Sequence, residues 1–116
     1  MNRVFRKLQV RSKVWVELDG AAVFGDGKAQ LLEAVAAGGS IRAAAQGLGM
    51  SYRGAWGRIR EMERRLGQPV VVRRAGGPRG GGSALSGFGK ELLDRYLRFR
   101  RGLNESVDRR FKKAFL

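Results

Sequence analysis

The sequence predicts a mainly α fold carrying small β-hairpins, an α+β class, on three observations. Apolar residues recur at helical spacing over residues 28–37, 41–48 and 52–66, and each run is closed by glycine. Two short stretches read as strands: an alternating one around residues 14–18 and a β-branched one at Val70-Val71-Val72. Beyond them, Phe88, Leu92, Tyr96, Phe99, Leu103, Val107, Phe111 and Phe115 follow one another every three or four positions. That is a sustained stripe along one long helix over residues 86–116, roughly 45 Å in length.

Bulk properties narrow what such a fold does. The chain has 116 residues, enough for one domain with one core, and 43% of them are apolar. Lys and Arg number 24 against 10 Asp and Glu, a net charge of +14. Self-repulsion on that scale opposes folding, so the charge points to a polyanionic partner. There is no cysteine and no histidine. Disulfides are excluded, the usual metal ligands are missing, and so are the commonest nucleophile and general base. The acidic residues form no pair beside a nucleophile, so no catalysis, metal or cofactor is expected. No apolar run approaches the roughly 20 residues of a membrane span, and the basic N-terminus lacks a signal-peptide core. The expected location is cytoplasmic and nucleoid-associated.

Taken in order, residues 1–11 are a basic arm. Residues 12–24 predict a hairpin: Val14, Val16 and Leu18 share one face, Trp15 the other, and Asp19-Gly20 is a two-residue turn. Trp15 then lies either on a covered second face or against another chain. Asp26 is a candidate N-cap for a helix over Lys28–Ala37, in which Leu31, Leu32 and Val35 face inward, ending at Gly38-Gly39. Ser40 caps the next helix, Ile41 to about Leu48, whose Ala43-Ala44-Ala45 allows close helix crossing. Gly49 turns the chain and Ser51 caps a third helix, Tyr52–Leu66, closed by Gly67. Residues 70–72 and 83–86 predict two strands around a glycine-rich basic loop at 75–82. Ser86 caps the long helix, which Gly102 is expected to kink or interrupt. The organisation is therefore an arm (1–11), a domain (12–86) and a long helix (87–116).

Residues 40–67 have the form of a helix-turn-helix, and the strand–loop–strand behind them has the form of a wing. On the third helix Tyr52, Ala55, Ile59, Met62 and Leu66 share a stripe, with Arg53, Gly57, Arg60 and Arg64 opposite. A helix apolar on one side and arginine-rich on the other suits packing on its own domain while lying in a major groove. Arg53, near the helix start, matches guanine O6 and N7 or a phosphate. Arg58, Arg60 and Arg64 suit phosphates, which fix register. Tyr52 is placed equally well in the core or against a base, and Trp56, on the border between faces, more readily in packing. Ser40 and Arg42, at the start of the preceding helix, and Ser51 complete this DNA-facing set. Loop 75–82 lacks the Gly-Lys-Ser/Thr ending of a P-loop. As a wing it brings Arg73, Arg74 and Arg79 to a phosphate or minor groove. The long stripe exceeds what one small domain covers, so Leu92, Tyr96, Phe99, Leu103, Val107 and Phe111 are expected to meet a second subunit as a homodimer.

These residues carry a resemblance. Gly39-Ser40-Ile41, Ala44-Ala45, Met50-Ser51-Tyr52-Arg53-Gly54-Ala55-Trp56 and Glu61-Met62 resemble the N-terminal DNA-binding domain of ModE-type molybdate-responsive bacterial regulators. So do Val71-Val72-Arg73, Gly76-Gly77, Gly80-Gly81-Gly82, Ala84-Leu85-Ser86 and Gly89. The same frame, closing on Ile59, Met62, Glu63, Leu66 and Gly67, is similar to the wider LysR-type winged helix-turn-helix. The resemblance covers about residues 25–100. It implies a dimeric transcription factor that binds double-stranded DNA, with Ser51, Tyr52, Arg53 and Trp56 at the groove-facing end of the third helix. ModE-type regulators carry a C-terminal molybdate-binding domain after the long helix, and these 116 residues hold no counterpart. Molybdate sensing is not carried over, and any small-molecule effector stays undefined. Two other classes stay open beside the DNA-binding regulator. One is an RNA-associated basic protein, for which the hairpin offers only Trp15 as a stacking platform. The other is a small molybdate- or oxyanion-binding protein using helix N-termini or the glycine loop.

Overall fold

The computed structural model describes residues 2–76 and 81–116. A 3-10 helix at Arg3–Lys7 opens the arm. The hairpin follows as β1 (Trp15–Leu18) and β2 (Ala21–Gly25), then the helices α1 (Asp26–Gly38), α2 (Ile41–Leu48) and α3 (Tyr52–Leu66). The second hairpin is β3 (Val71–Arg73) with β4 (Ser83–Leu85), and α4 (Gly87–Phe115) ends the chain. Both sheets are two-stranded and antiparallel.

In the first hairpin Leu18 pairs with Ala21, and Asp19 (φ 52°) and Gly20 (φ 81°) are both left-handed. Two consecutive positive φ angles make the turn whose twist matches a two-residue hairpin. The register slips between Val16 and Glu17, so Val23 is an extra residue in β2. That bulge breaks the alternation and turns both Val23 and Phe24 into the core. They join Leu31, Leu32 and Val35 of α1, Ile41, Ala44 and Ala45 of α2, and Ala55, Ile59 and Met62 of α3. Val70, Leu85, Leu93 and Tyr96 complete the same cluster.

The predicted caps at Ser40, Ser51 and Ser86 are all present: each side-chain oxygen accepts from the amide three residues on, at 2.9–3.0 Å. Asp26 corrects the expectation for α1. Gly25 occupies the cap position, without a side-chain bond, and Asp26 is the first helical residue. Its carboxylate instead accepts from the Tyr96 hydroxyl at 2.5 Å and from Arg100 at 3.0–3.1 Å. The Tyr96 hydroxyl, followed by the Arg100 guanidinium, holds Asp26 below the usual carboxylate range. Burial, then the bond to Asp26, pushes the Tyr96 phenol up to about 12. Gly102 is a second correction, since α4 passes through it unbroken. Glu63 makes a contact that its place in the sequence does not announce: it is half-buried, and its carboxylate accepts from the amides of Val70 (2.9 Å) and Val71 (3.3 Å).

The second hairpin is fastened at its base. The Ser83 amide donates to the Gly39 carbonyl at 2.8 Å, as does Arg74 Nη2 at 3.2 Å. A Cβ on Gly82 would collide with that same carbonyl, so only glycine lets the strand approach the α1–α2 turn. One strand further along, a Cβ on Gly89 would strike the Val70 carbonyl, which fixes the start of α4 against β3.

The basic arm is not free. Arg100 donates to both the hydroxyl and the carbonyl of Ser12, at 2.8 and 2.7 Å. From there the arm runs antiparallel to α4: Val10 lies beside Asn104 and Val107, and Leu8 and Gln9 beside Phe111. The Phe5 ring ends the run 6.5 Å from Phe115, which stacks on Phe111 at 4.7 Å. The molecule measures 65 × 32 × 21 Å, with a radius of gyration of 17.9 Å. A compact chain of this length has about 13 Å. The excess comes from the distal half of α4 and its strap, which project from the domain.

Candidate nucleic-acid interface

The starts of α2 and α3 converge with the base of the second hairpin. Together they border a groove of about 300 Å³ lined by Ser40, Ile41, Arg42, Tyr52, Trp56, Arg73, Gly81, Gly82 and Ser83. No acidic residue is among its lining. Across one wall runs an ordered array. The Arg42 guanidinium lies 4.4 Å from the Tyr52 ring centroid. The Tyr52 hydroxyl accepts from Trp56 Nε1 at 2.6 Å, and the two rings meet edge to face at 83°. Arg60 lies 5.4 Å from the Trp56 centroid. Cation, ring, ring and cation hold one another in place, and Trp56 anchors the array to the core edge. Because the Tyr52 oxygen is the acceptor, its own proton remains free for a phosphate or base.

Tyr52 therefore departs from the core half of its expectation. It is 40% exposed, although it shares its helical azimuth with the fully buried Ile59. As the first residue of α3 it lines the groove, where its ring lies under Arg42 and edge-on to Trp56. Trp56 is half-buried and packs against the core edge, as its border position suggested.

Ser40 and Ser51 serve as caps, and because each oxygen is the acceptor, each hydroxyl keeps a proton to donate. Arg53, Arg58, Arg60 and Arg64 are exposed and have no hydrogen-bond or ion-pair partner among the described residues. They are not equivalent. Arg53, Arg60 and Arg64 share a face beside Trp56, whereas Arg58 lies about 140° round the helix from Arg53. Arg73 lines the groove, and Arg74 uses one N–H on Gly39 while the rest of its fork stays exposed. Arg79, with Gly77, Pro78 and Gly80, lies outside the described residues. The reach of Arg42 over Tyr52 was not apparent from the sequence, since ten positions separate them and only the turn at Gly49 joins them. The Tyr52–Trp56 pair was readable as an i,i+4 spacing.

The residues expected at a subunit interface separate into three settings. Tyr96 is 4% exposed and sits in the chain's own core, edge-on to Phe24 at 5.1 Å. Val107 and Phe111 are half-buried beside the arm, and Leu103 is half-buried just before them. Leu92 and the 49%-exposed Phe99 instead border an apolar hollow of about 240 Å³ with Val16, Phe24, Arg95 and Tyr96. Beside it the whole of β1 is exposed, including Trp15, Val16 and Leu18. Trp15 Nε1 donates to Glu17 at 2.8 Å.

Comparison with known proteins places this geometry. Residues 28–85, from α1 through β4, match the model of the bacterial regulatory helix-turn-helix proteins of the lysR family. The chain belongs to that family. The matched span holds every residue lining the groove, while the arm, the first hairpin and α4 lie outside it. In sequence the chain is similar to the molybdenum transport protein ModE of Azotobacter vinelandii. The two are 33% identical over 98 residues, which is 84% of this chain and 36% of that protein. It is also 40% identical over 83 residues to the molybdenum-pterin-binding protein MopB of Rhodobacter capsulatus, 72% of this chain and 30% of that one. It thus spans about a third of the curated relatives it matches. Among solved structures it superposes on the CbnR_DBD–DNA complex with a TM-score of 0.60 at 26% identity, covering 76% of this chain and 95% of that one. The fold is thus a winged helix-turn-helix with a long C-terminal helix.

Proposed function

We propose that this chain is a DNA-binding transcriptional regulator that acts by binding and without catalysis, as a homodimer on duplex DNA. Helix α3 enters the major groove, and the loop between β3 and β4 lies beside it as the wing. The observation that carries this reading is the Arg42–Tyr52–Trp56–Arg60 array. It forms a rigid, cationic, acid-free surface at the exposed end of a helix whose other face is locked in the core. Arg53 reads a base edge, and Arg60, Arg64 and Arg73 fix the register on phosphates.

The dimer forms on the hollow between β1 and the first half of α4. Residues 13–27 and 86–99 hold four cations and five acids, whereas the rest of the chain holds twenty cations and five acids. A second copy of so basic a chain meets least repulsion on that face, which also exposes Trp15, Val16, Leu18 and Phe99. The likeness to relatives named for molybdenum supports a link to molybdenum handling. The site of action is the cytoplasmic nucleoid.

Selection of bound sequences from a random duplex library tests the reading. A two-fold symmetric motif with half-sites about one helical turn apart is the expected product. Unselective recovery, or preferential capture of structured RNA at the same salt, overturns it.

A further inference from the structure

The chain carries its charge in two places, only one of which the groove accounts for. Residues 2–12 hold four cations and no acid, and residues 100–116 hold six cations and two acids. The arm's path along α4 brings these segments together into one projecting lobe with a net charge of +8. Within it Arg3, Arg6, Lys7, Arg101, Arg109, Lys112 and Lys113 are exposed, and none is in an ion pair among the described residues. This differs from the first half of α4, where Glu91 pairs with Arg95 and Asp94 with Arg98. The lobe is also ordered. Arg100 clamps Ser12 at one end and the Phe5–Phe115–Phe111 rings close the other, so the cations stand on a fixed frame. Holding like charges together opposes folding unless a polyanion neutralises them.

We propose that the lobe formed by the arm and the distal half of α4 is a second, sequence-independent contact for the phosphate backbone of duplex DNA, flanking the sequence read by α3. This rests on the DNA-binding reading above. A chain held on a duplex by α3 keeps that duplex at high effective concentration for a second cationic surface of the same chain. A phosphate ladder meets its requirement for closely spaced negative charge. The contact gives affinity and salt dependence, and no base preference.

The test uses the full chain and its selected operator in two duplexes, one ending at the half-sites and one extended by about 15 base pairs on each side, a little over one further helical turn. Binding is measured against salt concentration. Wild type is expected to bind the longer duplex more tightly and with a steeper slope. The triple variant Arg3→Ala, Arg6→Ala, Lys7→Ala is expected to lose about one unit of slope per phosphate contact removed. Its affinity for the longer duplex should fall roughly ten-fold or more near physiological salt while the short duplex is bound as before. These side chains make no contact that the fold needs, and Lys112→Ala with Lys113→Ala, from the other strand of the lobe, is expected to act in the same direction. Equal slopes for wild type and both variants on the long duplex overturn the proposal while leaving operator binding intact. Variants that keep the DNA slope but lose binding to vesicles of phosphatidylserine and phosphatidylcholine also overturn it, in favour of a lipid surface. Absence of any operator complex for wild type overturns the underlying reading as well.

Discussion

Arg53 and Tyr52 divide the labour at the first turn of α3. Arg53 is exposed and follows Tyr52 in the first turn, on the same face as Arg60 and Arg64, which suits it to a guanine edge. Arg53→Ala should cost about 1–3 kcal/mol on the operator and much less on random DNA, measured by titration of both duplexes at one salt. An equal loss on both would make Arg53 a phosphate contact. A different residue, Asp26, governs the pH response. Its carboxylate is held below its ordinary value by Tyr96 and Arg100, so the unfolded chain takes up a proton more readily than the folded one. Stability is therefore present above about pH 4 and lost as pH falls through the lower, folded value. Tyr96 works in the other direction. With its phenol raised to about 12, its contribution is complete below the ordinary value near 10 and lost as pH rises from there. Thermal melts of wild type should show both flanks. Asp26→Asn should lower stability by about 1–2 kcal/mol at neutral pH and flatten the acid flank, and an unchanged acid flank would remove Asp26 from this role.

Between elements, the fastenings are polar and short. Glu63 satisfies two amides at the turn from α3 into β3, and with Pro69 and Ser86 it sets where the second hairpin departs. Glu63→Ala should destabilise the domain by about 1–3 kcal/mol, because it leaves part-buried amides without a partner, and should weaken operator binding through the displaced hairpin. Denaturant unfolding reads the first effect, and a change below 0.5 kcal/mol, roughly the scatter of surface substitutions, would contradict it. Glu63 also marks where sequence reading stops. Local signals carried far: serine caps, glycine stops and apolar periodicity gave α2 and α3 to the residue and the long helix within one, because those features act within a turn of the chain. Both hairpins were legible from turn chemistry and β-branching. What escaped was partnership at a distance. Asp26 has the composition of an N-cap, but its choice of Tyr96 and Arg100 depends on residues seventy or more positions away. Tyr52 has the azimuth of a core residue, but periodicity says nothing of where along its axis the core ends. In the candidate site the identity of the basic residues was visible and their arrangement was not, since Arg42 reaches Tyr52 only once α2 and α3 have crossed.

At the scale of the whole molecule, the long apolar stripe of α4 reads in sequence as one surface, and the fold cuts it in three. Tyr96 turns into the core, Val107 and Phe111 lie along the chain's own arm, and Leu92 with Phe99 is left beside an exposed β1. An isolated two-stranded hairpin is marginal in water, and this one leaves Trp15, Val16 and Leu18 between 42% and 51% exposed. In the proposed dimer, charge favours one orientation of the second copy. On the first half of α4 the acids Glu91 and Asp94 precede the bases Arg95 and Arg98, so a parallel pair of helices would set like against like, whereas an antiparallel pair sets acid against base. A two-fold dimer on this face is thus self-complementary where the rest of the chain repels its copy. Phe99→Glu places a charge on that face at a side chain that is half exposed in the single chain. It should give a folded monomer in sedimentation at micromolar concentration and lose binding to the paired half-sites while still contacting one. Phe111→Glu, under the arm, should leave the dimer intact and instead loosen the strap. If Phe99→Glu sediments as a dimer and Phe111→Glu as a monomer, the second copy docks on the distal helix and the arm must yield to it.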